Sequence, residues 1–300
     1  MPEAIVYTEI GPAEVLHLAE VDQPQAGPGQ VRLAVRAAGV NPIDWKIRSG
    51  AFGAVSEPAT PGIDVAGVVD QVGDDVTDLA VGDEVFGFAE GGSYAQYAVA
   101  SAVVDKPPAM PWEVAAAVPV AAETSQRVLD LLEVAQGETL VIHGAAGSVG
   151  AIAAQLAVAR GATVIGTASE GNHDYLRSLG VTPTVYGDGI VERVRALAPD
   201  GVDAVFDAAG KGALPASIKL RGGTTDRIVT IADPAADEHG VTFSSGGGDR
   251  SLEGLRQVAA RYVDGAMDLP VRETHPLADA AEAHRSSEQG HGRGAIVLLP

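Results

Sequence analysis

The chain has 300 residues, no cysteine and a formal net charge of −20. The missing cysteine excludes disulfides, thiolate zinc sites and cysteine nucleophiles together, and a surface this acidic is expected to repel nucleic acid and anionic membranes. No uninterrupted apolar stretch reaches the ~18 residues of a membrane span and the amino terminus has neither a basic region nor a hydrophobic run, so the expectation is a cytoplasmic protein of one long or two ordinary domains.

The first third reads as short strands between Gly and Pro turns. Val31–Ala37 alternates after Ala26-Gly27-Pro28-Gly29, and Asp64–Val72 is a Gly-interrupted apolar strand. Val81–Gly87 is a turn entering a strand, and Ser93–Val99 alternates again. Many short strands with regular turn signals predict a compact β-barrel. Around Pro107–Pro119 the pattern changes to Ala-rich helical stretches at Trp112–Ala117 and Thr124–Val134. Beyond them strands (Thr163–Thr167, Asp203–Phe206, Arg227–Ile231, Val241–Phe243) alternate with helices (Asn172–Leu179, Val191–Leu197, Leu252–Val263). Such alternation predicts a doubly wound parallel sheet. The tail holds a helical piece, Leu277–Arg285, and a final strand, Ala295–Leu299.

The segment Thr139–Gly150, T-L-V-I-H-G-A-A-G-S-V-G, is the most informative. An apolar strand runs into a turn with Gly144, Gly147 and Gly150 at three-residue spacing, and the helix-forming stretch Ala151–Arg160 follows. Glycines let the backbone approach a phosphate closely, and the next helix offers its free N–H groups and positive dipole end. Relative to G-x-G-x-x-G the last four residues fit. Either Ala145 stands at the first glycine or the loop is one residue longer. Ala162–Gly166 completes a β-α-β unit, and together these point to a nicotinamide-dinucleotide enzyme.

Six motifs in order resemble one family. They are Gly39–Gly50 (G-V-N-P-I-D-W-K-I-R-S-G), Pro61–Gly67 (P-G-I-D-V-A-G), Gly82–Gly87 (G-D-E-V-F-G), Gly91–Val99 (G-G-S-Y-A-Q-Y-A-V), Gly144–Gly150 and Ala280–Pro300. The chain resembles the zinc-independent quinone oxidoreductases (zeta-crystallin-like) of the medium-chain dehydrogenase/reductase superfamily. The resemblance implies an α/β fold with a GroES-like β-barrel domain (1–117 and 266–300) and a Rossmann doubly wound parallel-sheet domain (118–265), with the active cleft between them. It also implies a homodimer, for which Val241–Phe243 is either an edge strand pairing with its symmetry mate or an edge covered by a loop. Zinc-dependent members carry cysteine where this chain has Asn41 and His-Glu where it has Ile63-Asp64. Asn and Ile cannot build a three-ligand zinc site, so no metal is expected.

By resemblance, Gly144, Ala146, Gly147, Ser148, Val149 and Gly150 bind the pyrophosphate. Ser169, after the second Rossmann strand, meets the 2′-phosphate, with Asn172 and His173 beside it. An acidic residue would mark an NAD site, so NADPH is favoured over NADH, although Glu170 adjoins and no Lys or Arg follows. Thr124 lies beside the nicotinamide, or caps a helix. Ala208, in Asp207–Gly210, belongs to the nicotinamide-ribose side, Ile231 also binds the cofactor, and Arg293 reaches cofactor or substrate, or is a surface arginine. Asn41, Asp44, Trp45 and Lys46 form the loop facing nicotinamide and substrate. There Asn41 hydrogen-bonds ribose or carbonyl, and Lys46 steadies an enolate or quinol oxyanion or is a solvated loop lysine. Trp45 walls the pocket or fills the barrel core, and Asp44 caps the turn. His143 reads as packed, and His239, His275, His284 and His291 lack metal-ligand spacing. The expected reaction is hydride transfer from NADPH to a quinone or an α,β-unsaturated carbonyl. The alternative from another class is a non-catalytic NADPH-binding sensor. A short-chain-type dehydrogenase is excluded because no tyrosine has a lysine four residues later.

Overall fold

The computed structural model describes residues 1–54, 58–246, 250–290 and 292–300. Two compact units are present, Met1–Val120 with Ser251–Pro300, and Ala121–Arg250.

In the first unit β1 (Glu3–Val6) pairs antiparallel with β2 (His17–Glu20). The ladder of β3 (Val31–Val40), β4 (Asp64–Val72), β5 (Glu84–Glu90) and β6 (Tyr97–Asp105) is antiparallel, and β3 also pairs with β6, so these four strands close into a barrel. The alternation in β3 sends Val31, Leu33 and Val35 inward against Val65, Val69, Val85, Ala98 and Val103. Between β3 and β4 lies a helix, α1 (Pro42–Arg48), and α2 (Trp112–Ala116) follows β6. The alternating run Ser93–Val99 splits. Ser93–Gln96 runs beside β1, with Ile5 N–H bonded to Tyr94 O at 2.8 Å, and β6 begins only at Tyr97.

Helix α3 (Pro119–Leu131) starts five residues earlier than its composition suggested, because Pro119 occupies the first helical position, where its missing N–H costs nothing. It ends at Leu131, and in the turn beyond it Glu133 takes a left-handed φ of 50°. The second unit then alternates β7 (Thr139–His143), α4 (Ser148–Ala159), β8 (Thr163–Thr167), α5 (His173–Ser178), β9 (Thr182–Thr184), α6 (Ile190–Leu197), β10 (Ala204–Asp207), α7 (Leu214–Leu220), β11 (Ile228–Thr230), α8 (Ala236–His239) and β12 (Thr242–Phe243). The strands are all parallel, in the order β12-β11-β10-β7-β8-β9. Numbered within the unit this is 6-5-4-1-2-3, the dinucleotide-binding order whose switch point lies between β7 and β10. Nearly every residue of β7, β8, β10 and β11 is buried, as strands covered on both faces require.

The chain then returns to the first unit. Helix α9 (Leu252–Val263) precedes β13 (Val271–Pro276), α10 (Ala280–Gln289) and β14 (Ala295–Leu299). β14 is parallel to β13 and antiparallel to β3. Ile296 and Leu298 join Ala38, Val40, Ile5 and Tyr94 in a second core.

Candidate functional site

In the second unit, β7 ends at His143 and Gly144 turns the chain with φ 76°. Gly147 N–H donates to Gly144 O at 3.1 Å, and α4 starts at Ser148 with no side chain capping it. The N–H groups of Ser148, Val149 and Gly150 therefore have no intrahelical acceptor and face outward with the positive end of the helix dipole. A β-carbon at Gly150 would fall 2.9 Å from Ala145 Cα and closer still to Gly144 O, so only glycine lets the helix dock on the turn. At Gly147 it would meet only Gly144 O at 3.5 Å, which leaves the turn's outer face open. Ala145, at the fingerprint's first glycine, points inward and is fully buried, and Gly166 in β8 makes room for its methyl group. The residues present thus fit a pyrophosphate.

Beside the turn, Ala208 N–H donates to His143 O at 3.0 Å. Asp207, fully buried, accepts from Ala209 N–H (3.0 Å), Gly210 N–H (3.1 Å) and Thr230 Oγ1 (2.8 Å), and Ile231 N–H reaches Asp207 O at 3.1 Å. The loops carrying Ala208 and Ile231 are thereby tied to the same carboxyl-terminal sheet edge as the glycine turn, at the switch point. Ser169 is exposed at the end of β8 and accepts from Asn172 Nδ2 at 3.0 Å. Thr124 is not a helix cap. It lies in the interior of α3, buried, 3.4 Å from Arg127 Nη2, because the helix begins at Pro119. Its neighbour Ser125, which sequence reasoning passed over, donates to Val149 O at 2.9 Å and steadies the first turn of α4. Arg127 pairs with Glu123 at 2.7 Å and donates to Ser244.

In the first unit the segment expected to be a loop is helix α1. Pro42 sits at its first position and Asn41 is its cap. Asp44 N–H donates to Asn41 O at 3.0 Å, while the Asp44 carboxylate accepts from Asn41 N–H at 2.8 Å. Pro pre-sets the helical φ and the reciprocal bonds satisfy the end, which is enough for a seven-residue helix. Asn41 Nδ2 donates to Asp64 Oδ2 at 2.9 Å, and Asp64 Oδ1 accepts from Val120 N–H at 2.9 Å. Trp45 does not fill the barrel core. It is half-buried, as is Lys46, whose Nζ lies 5.8 Å from the indole centroid. Asp44 is buried beside Tyr94, whose hydroxyl donates to it at 3.0 Å. Burial pushes the Asp44 carboxyl up to about 7, against the pull of the Asn41 and Tyr94 hydrogen bonds. His284 Nε2 is 3.2 Å from Tyr94 Oη, and burial, then the Arg48 charge, bring its imidazole down to about 3. Arg48, buried, pairs with Glu288.

The structure gathers Gly144–Gly150, Ala208 and Ile231 on one edge, with Ser169 at the end of the adjoining strand, and sets Asn41, Trp45 and Lys46 along α1. Arg293 is exposed between α10 and β14. The loops Phe52–Pro58 and Ser244–Gly248, expected to shape a pocket, extend outside the described residues at 55–57 and 247–248, as does His291. Among the described residues no group of three His, Cys, Asp or Glu is placed to hold a metal ion. Sequence reasoning placed Asp207 in the turn Asp207–Gly210 but gave its carboxylate no role, and it missed Ser125. A polar residue at a strand's end was the only signal for the first, and none existed for the second.

Residues 27–108 match the family described as alcohol dehydrogenase GroES-like domain, and residues 179–298 match zinc-binding dehydrogenase. The chain is similar to the pikromycin polyketide synthase component PikAII of Streptomyces venezuelae, 37% identical over 91% of the chain. It spans only 8% of that protein's length. It is 32% identical to an NADPH-dependent alkenal/one oxidoreductase of Arabidopsis thaliana, covering 99% of the chain and 79% of the relative, and 31% identical to a quinone oxidoreductase of Pseudomonas aeruginosa over the full length of both. A mycobacterial protein solved in complex with NADPH superposes with a TM-score of 0.85 at 29% identity, covering all of both chains.

Proposed function

The chain belongs to the quinone oxidoreductase family of the medium-chain dehydrogenase/reductase superfamily, and on that premise we propose that it is an NADPH-dependent, zinc-independent reductase of quinones or α,β-unsaturated carbonyls. The observation that carries the reading is the turn from Gly144 to Gly150, open at Gly147 and backed by the uncapped start of α4. The relatives named for quinones and for alkenals or enones share one electrophile, a carbon conjugated to a carbonyl.

In this proposal the N–H groups of Ser148 and Val149 hold the pyrophosphate, while Gly144, Ala146, Gly147 and Gly150 let the backbone approach it. Ser169 meets the 2′-phosphate. The absence of an acidic side chain at Ala168 and Ser169 favours NADPH over NADH. Thr124, Ala208 and Ile231 line the nicotinamide-ribose side, and Arg293 reaches cofactor or substrate. The bound nicotinamide supplies the hydride. Lys46 presents a cation to the acceptor oxygen as negative charge develops there, and Trp45 walls the substrate. Asn41, its amide oriented by Asp64, keeps its second N–H for ribose or carbonyl. With that amide donating to a carboxylate, Asn41 is a poor metal ligand, and the adjoining Ile63 offers none. The homodimer is proposed to form along β12, the exposed edge that carries Phe243. No helix among the described residues is long and apolar enough to cross a membrane, and a cytoplasmic location is part of the proposal.

The test is steady-state oxidation of NADPH and NADH with a benzoquinone, a naphthoquinone, a linear enone and an enal, each with and without a chelator. Turnover with NADPH that the chelator leaves unchanged is the expected result. NADPH binding without turnover of any acceptor would replace the reductase by a sensor.

A further inference from the structure

The last residues of four neighbouring strands form a row. Parallel register sets Thr167 of β8 beside His143 of β7, His143 beside Asp207 of β10, and Asp207 beside Thr230 of β11. All four are polar and nearly or fully buried. A buried polar row in an otherwise apolar sheet is costly unless every member is hydrogen-bonded, and its bonds lead to the loops that leave the sheet. Thr167 Oγ1 accepts from Gly144 N–H at 3.2 Å, Asp207 accepts from Ala209 and Gly210, and Thr230 Oγ1 accepts from Ala232 N–H at 3.2 Å and Asp233 N–H at 3.0 Å.

We propose that this row is a positioning device for the phosphate-binding turn, and that His143, in a single fixed tautomer, connects the turn to α7. The inference rests on the cofactor reading above. The tautomer follows from counting protons. Ser217 Oγ spends its one proton on Ala213 O at 2.9 Å. Toward His143 Nε2, 3.1 Å away, the hydroxyl can therefore only accept, and Nε2 must carry hydrogen. Burial lowers the pKa of the imidazole, opposed by the Asp207 charge, and keeps it neutral, so Nδ1 is a lone pair. Thr167 Oγ1 already accepts from Gly144 and is left with its own proton to aim at Nδ1, 3.4 Å away. Donation then runs one way throughout, from Gly144 N–H to Thr167, from Thr167 to His143, from His143 to Ser217 and from Ser217 to Ala213 at the start of α7. With Gly144 N–H fixed, Gly144 holds its left-handed φ and its carbonyl receives Gly147 N–H. These two bonds set the direction of the first-turn N–H groups of α4.

Three measurements on the full chain test this. In protein with 15N-labelled histidine, the His143 ring must show the Nε2–H tautomer at neutral pH. An Nδ1–H ring overturns the proposal. Thr167→Val keeps the side chain's shape and removes the hydroxyl; its NADPH dissociation constant, from fluorescence titration, should rise about tenfold, the size of one lost buried hydrogen bond, and Thr167→Ser should bind as wild type. Thr167→Val binding as tightly as wild type overturns the positioning role alone. A wild-type chain that binds neither nucleotide overturns the cofactor reading and this inference with it. If Thr167→Val does not fold, Ser217→Ala decides by the same titration, since it removes the acceptor of Nε2–H. Weaker binding supports the chain and unchanged binding overturns it.

Discussion

The side-chain amide of Asn41 and the carboxylate of Asp64 lie 2.9 Å apart in a hydrogen bond, with Asp64 fully buried and also accepting from Val120 N–H. One carboxylate thus orients the residue proposed to face ribose or carbonyl and satisfies a backbone donor as well. Asp64→Ala should destabilise the fold by roughly 1–3 kcal/mol, the cost of buried donors left unpaired, and lower turnover with every acceptor. Thermal melts and kcat measured side by side check both. Wild-type values for both would show that Asp64 orients nothing.

The two glycines of the turn should separate folding from binding. Gly150→Ala drives a methyl group into Gly144 and Ala145, and should cost about 1–3 kcal/mol of stability, as overpacking does. Gly147→Ala has an ordinary φ of −75° and open space, so it should melt like wild type. Its methyl would instead occupy the face that the phosphates approach, and its NADPH dissociation constant should rise at least about tenfold. Melting and titration of the two variants give four values, and a Gly147→Ala protein that binds normally would move the phosphates elsewhere.

How much of this was legible beforehand depends on the length of the signal. Strand β4 and helix α9 occur at the ends read from sequence, Asp64–Val72 and Leu252–Val263, because an apolar strand pattern or a helical face is sustained over nine and twelve residues. Helix α1 has seven residues, two turns between the end of β3 and Gly50, too few for a period of 3.6 to show. Its signals were local, Pro42 at the first position and Asp44 three residues after Asn41. β9 contains Pro183, which argues against a strand, and it survives as a sheet edge. The polar row was invisible because His143, Thr167, Asp207 and Thr230 become neighbours only through parallel register. Asn41 and Asp64 meet for the same kind of reason, since the barrel brings the end of β3 beside the start of β4.

Acid should weaken the far end of the Rossmann unit. Arg227 holds Glu138 with two 2.7 Å bonds, and those bonds bring the Glu138 carboxyl from 4.5 to about 2. A carboxyl that is more acidic when folded stabilises the fold fully above its ordinary range, and the contribution is lost as pH falls through the folded value. Glu138→Gln should therefore cost about 1–2 kcal/mol at pH 7, discounted for partial exposure. The difference from wild type should shrink below pH 4.5 and vanish near pH 2, by denaturant melts. A cost independent of pH would contradict the ion pair.

Asp44 carries the opposite sign. Its carboxyl binds a proton more tightly in the folded chain, at about 7, so the stabilisation is complete below the ordinary carboxylate range and disappears as pH rises through 7. The Tyr94 hydroxyl donates to this carboxyl and matters most when it is ionised. Tyr94→Phe should therefore lower the melting temperature more at pH 8 than at pH 5, and Asp44→Asn should flatten the slope between those pH values. Equal losses at both pH values would mean that Asp44 does not titrate in this range.

The most direct test of the account is transfer of label. NADPH carrying deuterium at C4 of the nicotinamide, on each face in turn, is incubated with chelator-treated protein and a linear enone, and the product is read by mass spectrometry and NMR. The account predicts deuterium on the β-carbon from one of the two faces. A product without label from either face, or reduction that stops when metal is removed, would contradict it.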